Sequence, residues 1–129
     1  MALKGFHHVA VKSDKFEASY KFYSELLELK EVNAWGEGDD KAVMLSMPDG
    51  ERIELFAGGK KADTPYSGIV HMAFQTDNPD YYIEKIRKAG YEITQEPNDV
   101  HVDSPTGFDA RIAFCKGPNN ELIEFFKAE

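Results

Sequence analysis

The sequence predicts an α+β fold made of two copies of one βαβββ module, and three observations carry that prediction. The segment "HVAVKSD" (8–14) returns as "HMAFQTD" (71–77), with His, Ala and Asp in common. The segment "PDGERIELF" (48–56) returns as "PNNELIEFF" (118–126), identical at five of nine positions. Between the two members of each pair the hydrophobic pattern runs in the same order, one strand, one helix and then three strands. The offset between copies is 63 residues at the first segment and 70 at the second, so the second copy carries about seven extra residues, which the pattern places in the loop before Ala110.

The first apolar run, Phe6 to Val11, is a strand stopped by Lys12, Ser13 and Asp14. Asp14 followed by Glu17 reads as a capping box. Phe16, Tyr20, Tyr23 and Leu27 then recur at helical spacing and predict a helix of about four turns, with Phe16, Tyr20, Phe22 and Tyr23 as core. "EVNAW", "KAVMLSM" and "RIELFA" follow as strands, separated by turn material in "GEGDD" and "PDGE". The stretch "GGKKADTPYSG" (58–68) has no apolar periodicity and reads as a linker. In the second copy, "IVHMAFQ" is a strand. Pro79 then opens a helix over "DYYIEKIRKA" and Gly90 closes it. "YEITQE", a loop over 97–109, "ARIAFCK" and "ELIEFFK" complete the order. The expected organisation is a single domain over 1–129, built from repeats at about 5–57 and 68–127.

The composition excludes several roles. At 129 residues with 42% hydrophobic and 29% charged residues, the chain matches one globular domain. A net charge of −8 repels phosphate backbones and anionic surfaces, so nucleic acid and membrane surfaces are not expected partners. No apolar stretch approaches the roughly 20 residues of a membrane span, and the N-terminal residues lack a secretory h-region, so a cytoplasmic protein is expected. Cys115 is the single cysteine and reads as a buried, inert thiol.

The repeat selects four residues for chemistry: His8 and Glu54 in the first copy, His71 and Glu124 in the second. Alone, each histidine reads as a packed residue and each glutamate as the solvated face of a strand. Recurring together at corresponding points, they read as ligands. A carboxylate set within "IEL" or "IEF" is costly to bury unless it meets a cation. Two imidazoles and two carboxylates suit a divalent first-row ion such as Zn, Ni, Co, Mn or Fe. His7 has Val70 as its counterpart and reads as surface or packing, because adjacent strand residues point to opposite faces.

With "HHVAV", "IELFA", "VHMAF" and "IEFF" in this order, the chain resembles the vicinal oxygen chelate superfamily from about Gly5 to Lys127. That superfamily includes glyoxalase I, methylmalonyl-CoA epimerase, extradiol dioxygenases and the fosfomycin and bleomycin resistance proteins. The resemblance implies sheets that curl around a metal, to which a small-molecule substrate binds through two neighbouring oxygens. It also implies a homodimer. The His, Glu, His, Glu order is similar to that of bacterial glyoxalase I (lactoylglutathione lyase). By that similarity His8, Glu54, His71 and Glu124 hold the metal, which stabilises an enediolate, and Glu54 or Glu124 moves a proton from a carbon beside a carbonyl, as in a methylglyoxal–thiol adduct. The alternatives are a metal-dependent epimerase or dioxygenase of the same superfamily, or a metal-free small-molecule-binding resistance protein.

Three positions depart from the glyoxalase I pattern. Lys12 stands where an Arg usually binds the glutathione carboxylate, Gly58 stands where an Asn is usual, and "LLELK" lacks the Gly that usually ends helix one. Lysine is a point charge and not a bidentate fork, which leaves the thiol half of the substrate open. Trp35, Tyr66, His101, Asp103, Phe108 and Arg111 are further pocket candidates, with 97–109 as lid or rim, although packing and solvated roles are the commoner fate of such residues.

Overall fold

A computed structural model describes residues 4, 6–60, 70–102 and 107–129. Tyr66, Asp103 and residues 61–68 of the expected linker lie outside them. The chain divides into two compact units, Met1–Lys61 and Ala62–Glu129. In the first, β1 (His8–Lys12) leads to α1 (Phe16–Lys21), which a π-helical turn (Phe22–Leu26) continues. Then come β2 (Lys30–Trp35), a 3-10 turn (Gly38–Asp40), β3 (Ala42–Ser46) and β4 (Arg52–Phe56). In the second, β5 (Met72–Gln75), α2 (Pro79–Lys88), β6 (Ile93–Val102), β7 (Phe108–Lys116) and β8 (Leu122–Ala128) repeat the order.

Each unit holds one four-stranded mixed sheet, ordered β1-β4-β3-β2 in the first and β5-β8-β7-β6 in the second. The first strand lies parallel to the last, and the other pairs are antiparallel. This is the expected fold of two βαβββ modules. One face of each sheet carries the core. Ile53 and Leu55 of β4 are buried, as are Val43 and Leu45 of β3, together with Phe22, Tyr23 and Leu27 of the helical segment. In the second unit Ile83 and Ile86 of α2, Ala113 and Cys115 of β7, and Ile123 and Phe125 of β8 are buried. Alternation along a strand then turns Glu54 and Glu124 to the opposite face.

α2 forms as its sequence predicts. Asn78 Oδ1 accepts the Tyr81 N–H at 3.1 Å, and Pro79 occupies the first turn, where its missing N–H costs nothing. Gly90 follows the helix at φ +94°, a conformation only glycine adopts cheaply.

α1 differs from expectation in three ways. The Asp14–Glu17 capping box does not form: Lys15 is the N-cap, with no side-chain cap. The β ladder decides this, because Ser13 N donates to Phe56 O at 2.8 Å, which sets the Ser13 hydroxyl at the helix start. There it accepts the Lys15 N–H at 2.9 Å and meets Ser19 Oγ at 2.7 Å. The helical segment spans about three turns rather than four, and its π turn lets the successive residues Phe22 and Tyr23 both be fully buried. Phe16 and Tyr20 are half-buried instead of core. They line a cavity of about 310 Å³ with Glu17, Glu31, Ala34, Lys41 and Val43. Glu28 sits at φ +65°, the left-handed region, at the point where the resembled family usually carries Gly.

The loop expected over 97–109 is in large part strand. β6 continues to Val102 and β7 begins at Phe108, so the extra residues of the second copy lengthen a hairpin. Pro97 hid this, because proline cannot donate to a ladder, and here it falls where the register shifts between Gln95 and Asn98.

Ile86 is fully buried between α2 and its sheet. Ile86→Ala is expected to lower the unfolding free energy by about 2–5 kcal/mol, read from urea denaturation midpoints. A cost below about 1 kcal/mol would show that α2 is not part of the core.

Candidate functional site

In each unit the parallel strand pair sets one imidazole beside one carboxylate. Ala10 lies opposite Glu54 in the β1–β4 register, and Ala73 lies opposite Glu124 in the β5–β8 register. Side chains two residues apart share a strand face, so His8 looks toward the same face as Ala10, while His71 stands immediately before β5 and reaches Glu124 from there. His8 Nε2 is 3.3 Å from Glu54 Oε1, and His71 Nε2 is 3.1 Å from Glu124 Oε1. The structure thus brings the four sequence-predicted residues together as two pairs. Among the described residues no group of three or more His, Cys, Asp or Glu side chains gathers that could hold a metal.

The two pairs have different surroundings. Glu124 is buried, at 8% exposure, and Phe114 of β7 lies opposite it in the ladder. The ring of Phe114 meets that of His71 edge-on at 5.4 Å between centroids. Burial pushes the Glu124 carboxyl above the ordinary glutamate range, and the nearby His71 opposes this without cancelling it. Around His8 the neighbours are polar. His7 Nδ1 is 3.0 Å from His8 Nδ1, and Arg52 Nη1 is 3.4 Å from His7 Nε2.

His7 was expected to face away from His8 by strand alternation. β1 begins at His8, so His7 precedes the strand and alternation does not govern its ring. The signal for its role is Arg52, opposite His8 in the parallel register, and that pairing is invisible before the sheet is known.

The other candidates are engaged elsewhere. Arg111 holds Asp80 through Nε at 2.7 Å and Nη2 at 2.8 Å, and Asp99 through Nη1 at 3.1 Å. His101 pairs with Asp109 across the β6–β7 hairpin. Phe108 packs its ring 6.0 Å from that of Phe126, and Trp35 is exposed at the end of β2. Cys115 is fully buried, which pushes its thiol up to about 12 and removes it as a nucleophile at neutral pH.

Duplicated modules, each with a His–Glu pair on the sheet face opposite its helix, define a glyoxalase-like class of protein. A model of the Glyoxalase/Bleomycin resistance protein/Dioxygenase superfamily matches residues 5–125, and the chain belongs to that superfamily. No curated protein matches it in sequence. Solved structures share its fold. A glyoxylase/bleomycin resistance protein/dioxygenase domain from Frankia sp. EAN1pec superposes with a TM-score of 0.77 at 23% identity, covering 99% of this chain and 94% of that one. The fosfomycin resistance protein FosX from Listeria monocytogenes, in complex with Mn(II) and sulfate, gives a TM-score of 0.76 at 18% identity over 99% and 95% of the two chains. A glyoxalase I variant from Zea mays gives 0.77 at 23% identity, covering 94% of this chain and 43% of that one. Among the described residues no helix is long and apolar enough to cross a membrane.

The raised affinity of Glu124 for a proton has a consequence for stability. Between the unfolded value near 4.5 and the higher folded value, the folded chain holds a proton that the unfolded chain has released. The contribution of this group to stability is therefore greatest below the unfolded value and is lost as pH rises through the folded one. In chelator-treated protein, Glu124→Gln is expected to raise the thermal midpoint near pH 7 and to leave it unchanged near pH 3. An equal or lower midpoint at neutral pH would contradict the sign of the shift.

Proposed function

We propose that this chain is a metal-dependent lyase or isomerase of the glyoxalase I type, acting on a small substrate with a proton beside a carbonyl. The observation that carries the reading is the paired contact of His8 with Glu54 and of His71 with Glu124 at corresponding points of two repeats. The donor set fits a divalent first-row ion. Neutral imidazole nitrogens and carboxylate oxygens are its usual ligands, and a carboxylate buried as Glu124 is would be relieved by a cation. His8, Glu54, His71 and Glu124 would hold the ion, one imidazole and one carboxylate from each module. When bound, the ion would supply positive charge to neighbouring substrate oxygens and favour loss of the adjacent proton.

Glu54 or Glu124 would take the proton from carbon and return it, and Glu124 is the more buried of the two. Glu54 lies in the more polar pair, with His8 at 3.3 Å. Superfamily membership with glyoxalase I and FosX among the fold neighbours supports a metal-dependent role on a small molecule, and a homodimer is proposed with it.

Elemental analysis of protein purified without added metal, repeated on Glu54→Ala and His71→Ala, tests the metal. Stoichiometric first-row metal in the parent chain, reduced at least tenfold in both variants, is the expected result. Absence of metal in every form, including after incubation with Ni, Co, Zn, Mn and Fe salts, would leave the metal-free binding protein as the reading. Exchange of the substrate proton with deuterated water in a methylglyoxal–thiol adduct then tests the reaction, with glutathione and other thiols compared.

A further inference from the structure

His7 and Arg52 give the first pair something the second lacks. Arg52 Nη1 donates to Gly50 O at 3.1 Å and lies 3.4 Å from His7 Nε2. A guanidinium only donates, so His7 Nε2 is the acceptor and the His7 proton sits on Nδ1. That N–H points at His8 Nδ1, 3.0 Å away, which must then accept. The His8 proton is left on Nε2, the nitrogen that lies 3.3 Å from Glu54 Oε1. Donor and acceptor roles therefore run in one direction from Arg52 through His7 to His8, whose Nε2 stands beside Glu54. The rings of His7 and His8 meet edge to face, 84° apart in plane, which aims one nitrogen at the other. In the second repeat the counterparts of His7 and Arg52 are Val70 and Leu122, and the ring edge of Phe114 packs on His71 instead.

We propose that His7 is the positioning residue of the first pair, holding Nδ1 of His8 so that Nε2 faces the Glu54 carboxylate. Its effect on metal affinity rests on the reading of the site given above, while its effect on the His8 ring does not. An imidazole that ligates through one nitrogen is held by a hydrogen bond at the other, and loss of such a partner costs roughly 10–100-fold in metal affinity. Ligation through Nε2 moves the His8 proton to Nδ1 and makes His7 Nδ1 the acceptor, which puts the His7 proton on Nε2 and gives up the long 3.4 Å contact with Arg52 Nη1. A neutral imidazole serves in either direction, because it carries one donor and one acceptor nitrogen. Phenylalanine serves in neither, and an asparagine amide, with its own donor and acceptor, serves in both.

The test compares the parent chain with His7→Phe and His7→Asn. Long-range proton–nitrogen spectra of the metal-free, 15N-labelled proteins report the His8 tautomer, and calorimetric titration with Co²⁺ reports affinity. The parent is expected to show His8 protonated on Nε2. His7→Phe is expected to give a mixture of His8 tautomers and to bind Co²⁺ roughly 10–100-fold more weakly at unchanged stoichiometry. His7→Asn is expected to recover most of both, which simple loss of packing at this exposed position would not produce. A His8 spectrum that is the same in His7→Phe as in the parent overturns the proposal, and so does parental Co²⁺ affinity in that variant. Should neither parent nor variants take up Co²⁺, the metal reading falls separately, and the metal-free spectra alone decide the role of His7.

Discussion

In each module the first strand lies parallel and adjacent to the last, and the chemistry of the chain depends on that pairing. A parallel neighbour requires a crossover, and the helix supplies it. The crossover helix then covers one face of the sheet, where Ile53 and Leu55, or Ile123 and Phe125, are buried. With those residues committed to the core, the intervening glutamate has no face left but the other one. Opposite each glutamate stands an alanine, Ala10 or Ala73, whose methyl group leaves room over the carboxylate. The histidine two residues before that alanine meets the carboxylate, at 3.3 Å in the first unit and 3.1 Å in the second. "HVA" and "HMA" recur with that geometry: the motif supplies an imidazole and the gap that lets it meet its carboxylate.

The repeat made the module order, the strand types and both His–Glu pairs legible, because each copy served as a control on the other. α2 was legible too, since Asn78, Pro79 and Gly90 act locally through their own backbone preferences. What sequence could not disclose depends on contacts made at a distance. Asp14 and Glu17 have the spacing of a cap, but the ladder bond from Ser13 to Phe56 carries the chain into the helix in a register that gives Ser13 the work. Pro97 and its polar neighbours have the composition of a loop, yet a register shift absorbs them into a long hairpin. Phe16 and Tyr20 follow helical periodicity yet are half-buried, while Phe22 and Tyr23 of the π turn fill the core.

Glu28 shows what the fold tolerates. A residue with a side chain in the left-handed region costs about 1 kcal/mol or more relative to glycine. The turn persists because the surrounding structure fixes it: Leu27 N donates to Phe22 O and Leu29 N to Tyr23 O, both at 3.0 Å, and Leu27 and Leu29 are buried on either side. Burial of two leucines outweighs one unfavourable dihedral.

Duplication leaves a module free to change wherever its counterpart need not. The histidine and glutamate are the same in both copies, whereas the residues around them have diverged in opposite directions. The second copy has Phe114 and Leu122 where the first has Met44 and Arg52, and burial pushes its carboxyl above the ordinary glutamate range. The first copy keeps charge and hydrogen-bonding groups against its imidazole, with Arg52 and His7 fixing the direction in which each ring donates. The two pairs are matched in their residues and unlike in their surroundings: the Glu124 carboxyl lies opposite the Phe114 ring, and the His8 ring lies beside that of His7. The asymmetry between the copies is therefore as telling as their likeness: the shared residues form each His–Glu pair, and the diverged ones set what surrounds it.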